Sequence, residues 1–384
     1  INTLVCESVN DLNGIIISRT ESCSQIHIHG RTSKFKFGNF THRQSQNMKI
    51  LYDPRPRTTE EIFSEEDYAR FFSDHEIFQI DEDNAEQQYS AWLPEVDIII
   101  SQQTLDRSRL ESARGLKAIF NVETNFLPNI DYAYCAARSI PVLTPSSVFA
   151  LAVAEIGLAM ALSLARNVHQ AHADFQQGKE KYGLLGNMNA ELLTGATVGI
   201  LGYGDLGRAV HKVLAGFRNH ILVHDPWLPN GLLQRNHLEA DGLEELLRRS
   251  RFIFVTATIT TDNTSLLNAK RLEWMQPGAM LILLSRAAIA DFGDLREFAN
   301  SGKIRVATDV FPEEPVALND PIRTTKNMLL SAHRAGALTS ALQEIGKLVM
   351  EDLELIGKGL PPVSCKRAQL ETVSQIRSKP IEKT

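Results

Sequence analysis

The sequence predicts an α/β protein built from two parallel-sheet domains, one inserted into the other. Three observations carry that prediction. The apolar run Thr197–Leu201 opens into Gly202-Tyr203-Gly204-Asp205-Leu206-Gly207, three spaced glycines leading into a helical pattern at Leu206, Ala209, Val210, Val213 and Leu214. Short continuous apolar runs alternate with helix-like segments on both sides of this motif, as parallel strands covered on both faces require. Arg286, Asp309 and His333 each fall just after an apolar run, and functional groups in open parallel sheets sit at the carboxyl ends of strands.

The glycine motif specifies a dinucleotide site in a doubly wound, Rossmann-type sheet. Gly202 permits the tight turn, Gly204 lets the backbone approach a pyrophosphate, and Gly207 lets the helix pack close to the sheet. Tyr203, Asp205 and Leu206 complete the turn, and the helix start offers free N–H groups to phosphate charge. The next apolar run, Ile221–Val223, leads to Asp225, 18 residues after Gly207. A carboxylate there accepts hydrogen bonds from a ribose diol and repels a 2′-phosphate, so NAD is expected rather than NADP.

In chain order, residues 1–47 are rich in Ser, Thr, Asn, His and Arg and read as a poorly packed extension, with a marginal alternating strand at Ile26–Ile28. Residues 48–147 read as the first part of a smaller α/β domain. Its strands are expected at Lys49–Tyr52, Ile77–Ile80, Val96–Ile100, Leu116–Phe120 and Ile140–Leu143, with helices at Glu60–Phe72, Arg109–Arg114 and Asp131–Ala137. Ser147 is a plausible N-cap for a long helix Val148–Asn167, which opens the nucleotide-binding domain, 148–334. After Asp225, strands are expected at Phe252–Val255, Met280–Leu284, Ile304–Thr308 and Met328–Leu330, and helices at Leu243–Leu247, Leu266–Met275 and Phe292–Asn300. Residues 335–360, amphipathic from Ser340 to Gly357, are expected to return to the first domain, and the polar tail 361–384 to fray.

Composition narrows the function. The 384 residues suffice for two cores, and the 40 basic against 46 acidic residues show no basic stretch of the kind that binds nucleic acid. The four cysteines have no metal-ligand spacing, so no metal is expected and a reducing cytoplasm fits. The longest apolar run, Ala150–Leu162, is broken by Glu155 and too short to span a bilayer, so no membrane partner is expected.

Arg286, the run Asp309-Val310-Phe311-Pro312-Glu313-Glu314-Pro315 and the segment Ser331-Ala332-His333-Arg334-Ala335-Gly336 together resemble the D-isomer-specific 2-hydroxyacid dehydrogenases over about residues 48–360. The resemblance implies a smaller, flavodoxin-like substrate domain carrying an inserted Rossmann domain, a homodimer, and transfer of a hydride between NADH and a 2-oxo acid. It implies that Arg286 grips the substrate carboxylate, that His333 paired with Glu314 is the acid–base, and that Asp309 orients the nicotinamide. The chemistry is coherent. A planar guanidinium holds a carboxylate with two hydrogen bonds, and an imidazolium can protonate the oxygen on which charge develops. Glu313, next to Glu314, is the competing partner for the histidine.

Departures from the family pattern matter for the substrate. Thr124 and Phe126 stand where the family has loop glycines that touch the substrate carboxylate, and Pro128 where it has an acid. The run Leu283-Leu284-Ser285-Arg286-Ala287 replaces a more polar one, and Arg334 an apolar residue. With Phe126 and Leu283 read as opposite cleft walls, a narrow pocket is expected, with Thr124 and Arg334 as further substrate contacts. The expected substrate is a small 2-oxo or D-2-hydroxy acid of glyoxylate, hydroxypyruvate or phosphoglycerate type. The alternative is a catalytically weak nucleotide-sensing or corepressor-like protein on the same fold. No regulatory domain is expected after Pro362.

Overall fold

The computed structural model describes residues 16–20, 23–28, 31–35 and 47–376. The chain divides into two units between Gln46 and Asn47. In the first, strands β1 (Ile16–Thr20), β2 (Cys23–Ile28) and β3 (Arg31–Phe35) pair antiparallel in that order. The alternating segment Ile26–Ile28 lies in β2, and the residues of the expected extension 1–47 other than these three strands and Asn47 lie outside the described residues.

The second unit contains two sheets. The smaller uses β4 (Lys49–Asp53), β5 (Glu76–Gln79), β6 (Ile98–Ser101), β7 (Ala118–Phe120) and β8 (Val142–Thr144). The larger uses β9 (Thr197–Leu201), β10 (His220–His224), β11 (Glu239–Ala240), β12 (Phe252–Val255), β13 (Ala279–Leu283), β14 (Ile304–Thr308) and β15 (Met328–Leu330). A last strand, β16 (Lys366–Arg367), joins the smaller sheet.

The large sheet is wholly parallel in the order β11-β10-β9-β12-β13-β14-β15. That is the doubly wound dinucleotide order with one added strand, and its direction reverses between β9 and β12. The small sheet runs β16-β8-β7-β6-β4-β5. Without β16 this is the flavodoxin order, with its own reversal between β4 and β6. Alternate residues explain why both faces must be covered. On β12, Phe252 and Phe254 join one apolar cluster and Ile253 and Val255 the other, all fully buried. Full burial of each such side chain contributes about 1.5–3 kcal/mol.

The long helix runs Ala150–Arg166, starting later than Val148, with Phe149 rather than Ser147 at its N-cap. It packs on the sheet through Ala154, Met160, Ala161 and Leu164. No single described helix is long and apolar enough to cross a membrane; Ala150–Arg166 and the following Val168–Gln176 pass that test only as a pair bent by 64°. The expected helix Glu60–Phe72 is two helices, Thr59–Ile62 and Glu65–Asp74, because the Ser64 side chain accepts from the Asp67 N–H and caps a new start. The expected helix Leu266–Met275 shrinks to Ala269–Leu272, capped by Asn268.

The helix Thr339–Gly357 carries the chain back to the small sheet, where Ile345, Val349, Met350 and Leu353 pack with Ile50, Tyr52 and Phe120. The segment beyond it differs from the expected frayed tail. Buried Asp352 accepts hydrogen bonds from the N–H groups of Val363, Ser364 and Cys365 at 2.7–2.9 Å. β16 then pairs antiparallel with β8, and a short helix, Leu370–Val373, follows. A polar sequence docks here largely because its backbone N–H groups find acceptors.

Candidate active site

The carboxyl ends of the large sheet position the expected residues. Gly202 follows β9 with φ +88, a conformation that L side chains rarely adopt. A Cβ at Gly207 would collide with the Gly202 carbonyl, so the turn and helix can close only around glycine. Among the described residues nothing lies within 4 Å of where a Cβ at Gly204 would stand. Gly204 precedes the helix Asp205–Val213, whose start has no side-chain cap. Its first N–H groups also lack intrahelical partners.

Asp225 follows β10. Its Oδ2 accepts from the Tyr203 N–H at 2.8 Å and its Oδ1 from the Trp227 N–H at 3.0 Å, so the acid also fixes the glycine turn. An open turn, an uncapped helix start and an acid at the end of the next strand fit the pyrophosphate and ribose of a dinucleotide. Leu206, at the helix start, packs against the adjoining core. Asp205 opens that helix, and its Oδ2 accepts from Ser146 Oγ at 2.7 Å and from Lys366 Nζ at 3.3 Å.

Two strands along from β9, β13 leads to Arg286. Its guanidinium donates to the Ser285 carbonyl at 2.8 Å. Burial lowers its pKa, and the opposing charge of Glu314 raises it, so the two groups share one electrostatic neighbourhood. His333 Nδ1 lies 2.6 Å from Glu314 Oε2, and Glu314 Oε1 accepts from the Phe311 N–H at 2.8 Å. The partner of His333 is thus Glu314 and not Glu313. With Nδ1 engaged, Nε2 is the ring nitrogen left for a substrate oxygen.

His333 is held with φ +45, left-handed backbone for a non-glycine residue. Asp309 keeps the following turn in place. It is 1% exposed, and its two oxygens accept from the N–H groups of Arg334 and Ala335 at 3.2 and 2.9 Å. Asp309, expected as a nicotinamide contact, braces the histidine segment. The Arg334 side chain is exposed beside it.

Leu283 and Phe126, expected as opposite cleft walls, each pack within their own domain. Leu283, expected as a cleft wall, is fully buried among Leu201, Val255 and Leu281 in the large-sheet core. Period-2 alternation sends it there, while Ser285 and Arg286 lie beyond the strand end. Phe126 is 8% exposed, with its ring edge-on to Tyr132 at 6.4 Å, so its packing partner is the small domain's own helix. Thr124 adopts φ +65, keeping a glycine-like conformation without glycine.

Sequence reasoning missed a buried polar rim at the carboxyl ends of β4, β6, β7 and β8. Asp53 is paired with Arg55 at 2.6 Å, and Glu123 with Arg57 at 3.1 Å. The Gln102 Oε1, Asn121 Nδ2 and Thr144 Oγ atoms are buried and find no hydrogen-bond partner among the described residues. The only sequence signal was position after apolar runs, which singled out Arg286 but was not applied to these residues. No cluster of possible metal ligands occurs among the described residues.

Residues 158–335 match the NAD-binding domain of the D-isomer specific 2-hydroxyacid dehydrogenases. The chain is 31% identical to the glyoxylate reductase of Thermococcus litoralis over 276 residues, 70% of this chain and 83% of that protein. That relation decides the family. The chain is a D-isomer-specific 2-hydroxyacid dehydrogenase family member. Within the family it is 27% identical to the D-3-phosphoglycerate dehydrogenase of Methanocaldococcus jannaschii over 267 residues, 69% of this chain but only half of that protein's length. A solved phosphoglycerate oxidoreductase from Rhizobium etli superposes with a TM-score of 0.78 at 44% identity, over 84% of this chain and 99% of that one. The two-sheet architecture is thus the 2-hydroxyacid dehydrogenase fold, with its NAD-binding domain in the large sheet.

Proposed function

We propose that this chain catalyses hydride transfer between NADH and a small 2-oxo acid, giving the D-2-hydroxy acid. The observation that carries this reading is the His333–Glu314 pair, 2.6 Å apart, in the electrostatic neighbourhood of Arg286. Arg286 binds the substrate carboxylate and presents the carbonyl. His333 donates a proton from Nε2 to the carbonyl oxygen during reduction and takes it back during oxidation, with Glu314 holding the ring tautomer. Bound dinucleotide supplies the hydride. The chain's part is to seat its pyrophosphate on the turn Gly202–Gly207, to meet its ribose with Asp225, and to keep the histidine turn rigid through Asp309.

Asp225 favours NADH over NADPH because a 2′-phosphate would sit beside a carboxylate. The relatives' names, glyoxylate reductase and D-3-phosphoglycerate dehydrogenase, support a substrate of glyoxylate, hydroxypyruvate or phosphoglycerate type. The test is an NADH-oxidation screen over 2-oxo acids graded in size and charge. A small acid should turn over fastest. Phenylpyruvate or 2-oxoisocaproate as the best substrate would refute the small-substrate reading, and no turnover with NADH binding intact would leave a nucleotide-binding protein.

The same reading includes a homodimer. Val168, Phe175, Tyr182, Leu184, Leu185 and Met188 are each more than half exposed along the helix Val168–Gln176 and the turns after it. An apolar stretch of this kind marks an interaction surface. Light scattering should give twice the 42.8 kDa chain mass, and Leu184→Glu combined with Leu185→Glu should give the monomer. A monomeric parent protein would reject the dimer.

A further inference from the structure

We infer that Lys366, carried on the C-terminal segment, belongs to the cofactor site and meets the pyrophosphate at the start of the helix Asp205–Val213. The inference rests on the dinucleotide reading above. In an open parallel sheet the ligand lies in the crevice where strand order reverses, here between β9 and β12. Two loops border that crevice: Gly202–Gly207 after β9, and the segment from Thr256 after β12. The C-terminal segment touches both.

Lys366 Nζ lies 3.3 Å from Asp205 Oδ2 in the first loop. The Gln375 carbonyl accepts from the Thr261 N–H at 3.1 Å in the second, where Ile376 also bridges Thr260. Between these points β16 is paired with β8, and the Ala368 N–H donates to the Val142 carbonyl at 2.9 Å. Residues 366–376 therefore run from the edge of the substrate sheet across to both loops of the nucleotide crevice.

Charge gives Lys366 its role. Asp205 opens the helix on which a diphosphate would be seated, and an unopposed carboxylate there repels the ligand. Ser146 Oγ and Lys366 Nζ share one oxygen of that carboxylate. An exposed ion pair of this kind contributes little on its own. With a diphosphate on the helix start, the same ammonium opposes both Asp205 and the phosphate oxygens. Its side chain is 51% exposed, and its flexible four-carbon stem lets it turn a few ångströms.

The test measures binding by the whole chain, without turnover. NADH is titrated by its fluorescence, and adenosine, which has no phosphate, by competition. Lys366→Met keeps the stem and removes the charge. It should weaken NADH about tenfold, leave adenosine unchanged, and lose its effect as salt is raised. Lys366→Arg should stay within about threefold of the parent, since it restores the charge. NADH affinity within twofold of the parent in Lys366→Met overturns the inference. Equal weakening of NADH and adenosine overturns it too, because that is the signature of a displaced tail. If the parent binds no NADH at all, the dinucleotide reading fails first and the inference falls with it.

Discussion

His333→Gln should stop proton transfer and leave the cofactor bound. Glutamine approximates the length of histidine and can still hydrogen-bond, but it has no titratable proton. The imidazole meets Glu314 through Nδ1 at 2.6 Å, so the substitution deletes the one nitrogen, Nε2, available to the substrate. Positioned acid–base groups contribute about 10²–10⁴ in rate, or roughly 3–5 kcal/mol of barrier. Glu314→Gln separates the proton from its support. A hydrogen bond to a charged group is worth about 1.5–3 kcal/mol. Here the side chains are 42% and 34% exposed, and screening at such exposure reduces the bond to roughly 1 kcal/mol, about fivefold in rate. The introduced amide adds to this loss: if its oxygen stays on the Phe311 N–H, its NH₂ faces His333 Nδ1 and selects the other tautomer. The assay is steady-state NADH oxidation at saturating 2-oxo acid, with NADH affinity measured in parallel. His333→Gln turnover within tenfold of the parent would move the acid–base role to another residue. Equal losses in the two variants would refute the assignment of a supporting role to Glu314.

Asp309→Asn replaces one of two acceptors, buried under the Arg334 and Ala335 N–H groups, with a donor. It should cost roughly 1–3 kcal/mol of stability and lower kcat, read by thermal melting and turnover; an unchanged melt refutes the bracing role. Gly207→Ala puts a methyl group against the Gly202 carbonyl and should abolish measurable NADH binding, so normal binding by titration would refute the close-packing reading. Asp225→Ser removes the charge expected to repel a 2′-phosphate, and the ratio of NADPH to NADH affinity should rise about tenfold or more; no rise would refute that selectivity. Glu191 tests stability against pH. Its carboxylate pairs with Arg251 and, at 2.7 Å, with Arg305; hydrogen bonds from Arg251 first, then charge, hold its pKa below the ordinary value. A depressed folded-state pKa stabilises the fold above the unfolded value and loses that contribution as pH falls through the folded one. Glu191→Gln should therefore destabilise at neutral pH and matter less in acid. A melting difference that does not change with pH would contradict this.

The sequence alone determined the large sheet and set Arg286, Asp309 and His333 just beyond its strand ends. Phe252–Val255, Ile304–Thr308 and Met328–Leu330 are strands at the expected bounds; Phe252–Val255 is apolar throughout because both its faces are buried, while Ile304–Thr308 tolerates Arg305 through its pair with Glu191 and Met328–Leu330 is a partly buried edge. The glycines and Asp225 were legible because a positive φ, a close approach and a charge each demand one residue type. Glu314 was legible as a partner of His333 only through the resemblance, since nothing local separates it from Glu313; their 19-residue separation closes only in three dimensions. Tertiary structure decided the rest. Leu283 went to the core rather than the cleft because strand alternation outranks nearness to the site. The ion pair of Arg57 with Glu123 joins residues from different strand ends. The C-terminal segment carries few apolar residues to announce a role, and it docks because Asp352, β8 and the loop after β12 offer backbone hydrogen bonds that no local pattern encodes.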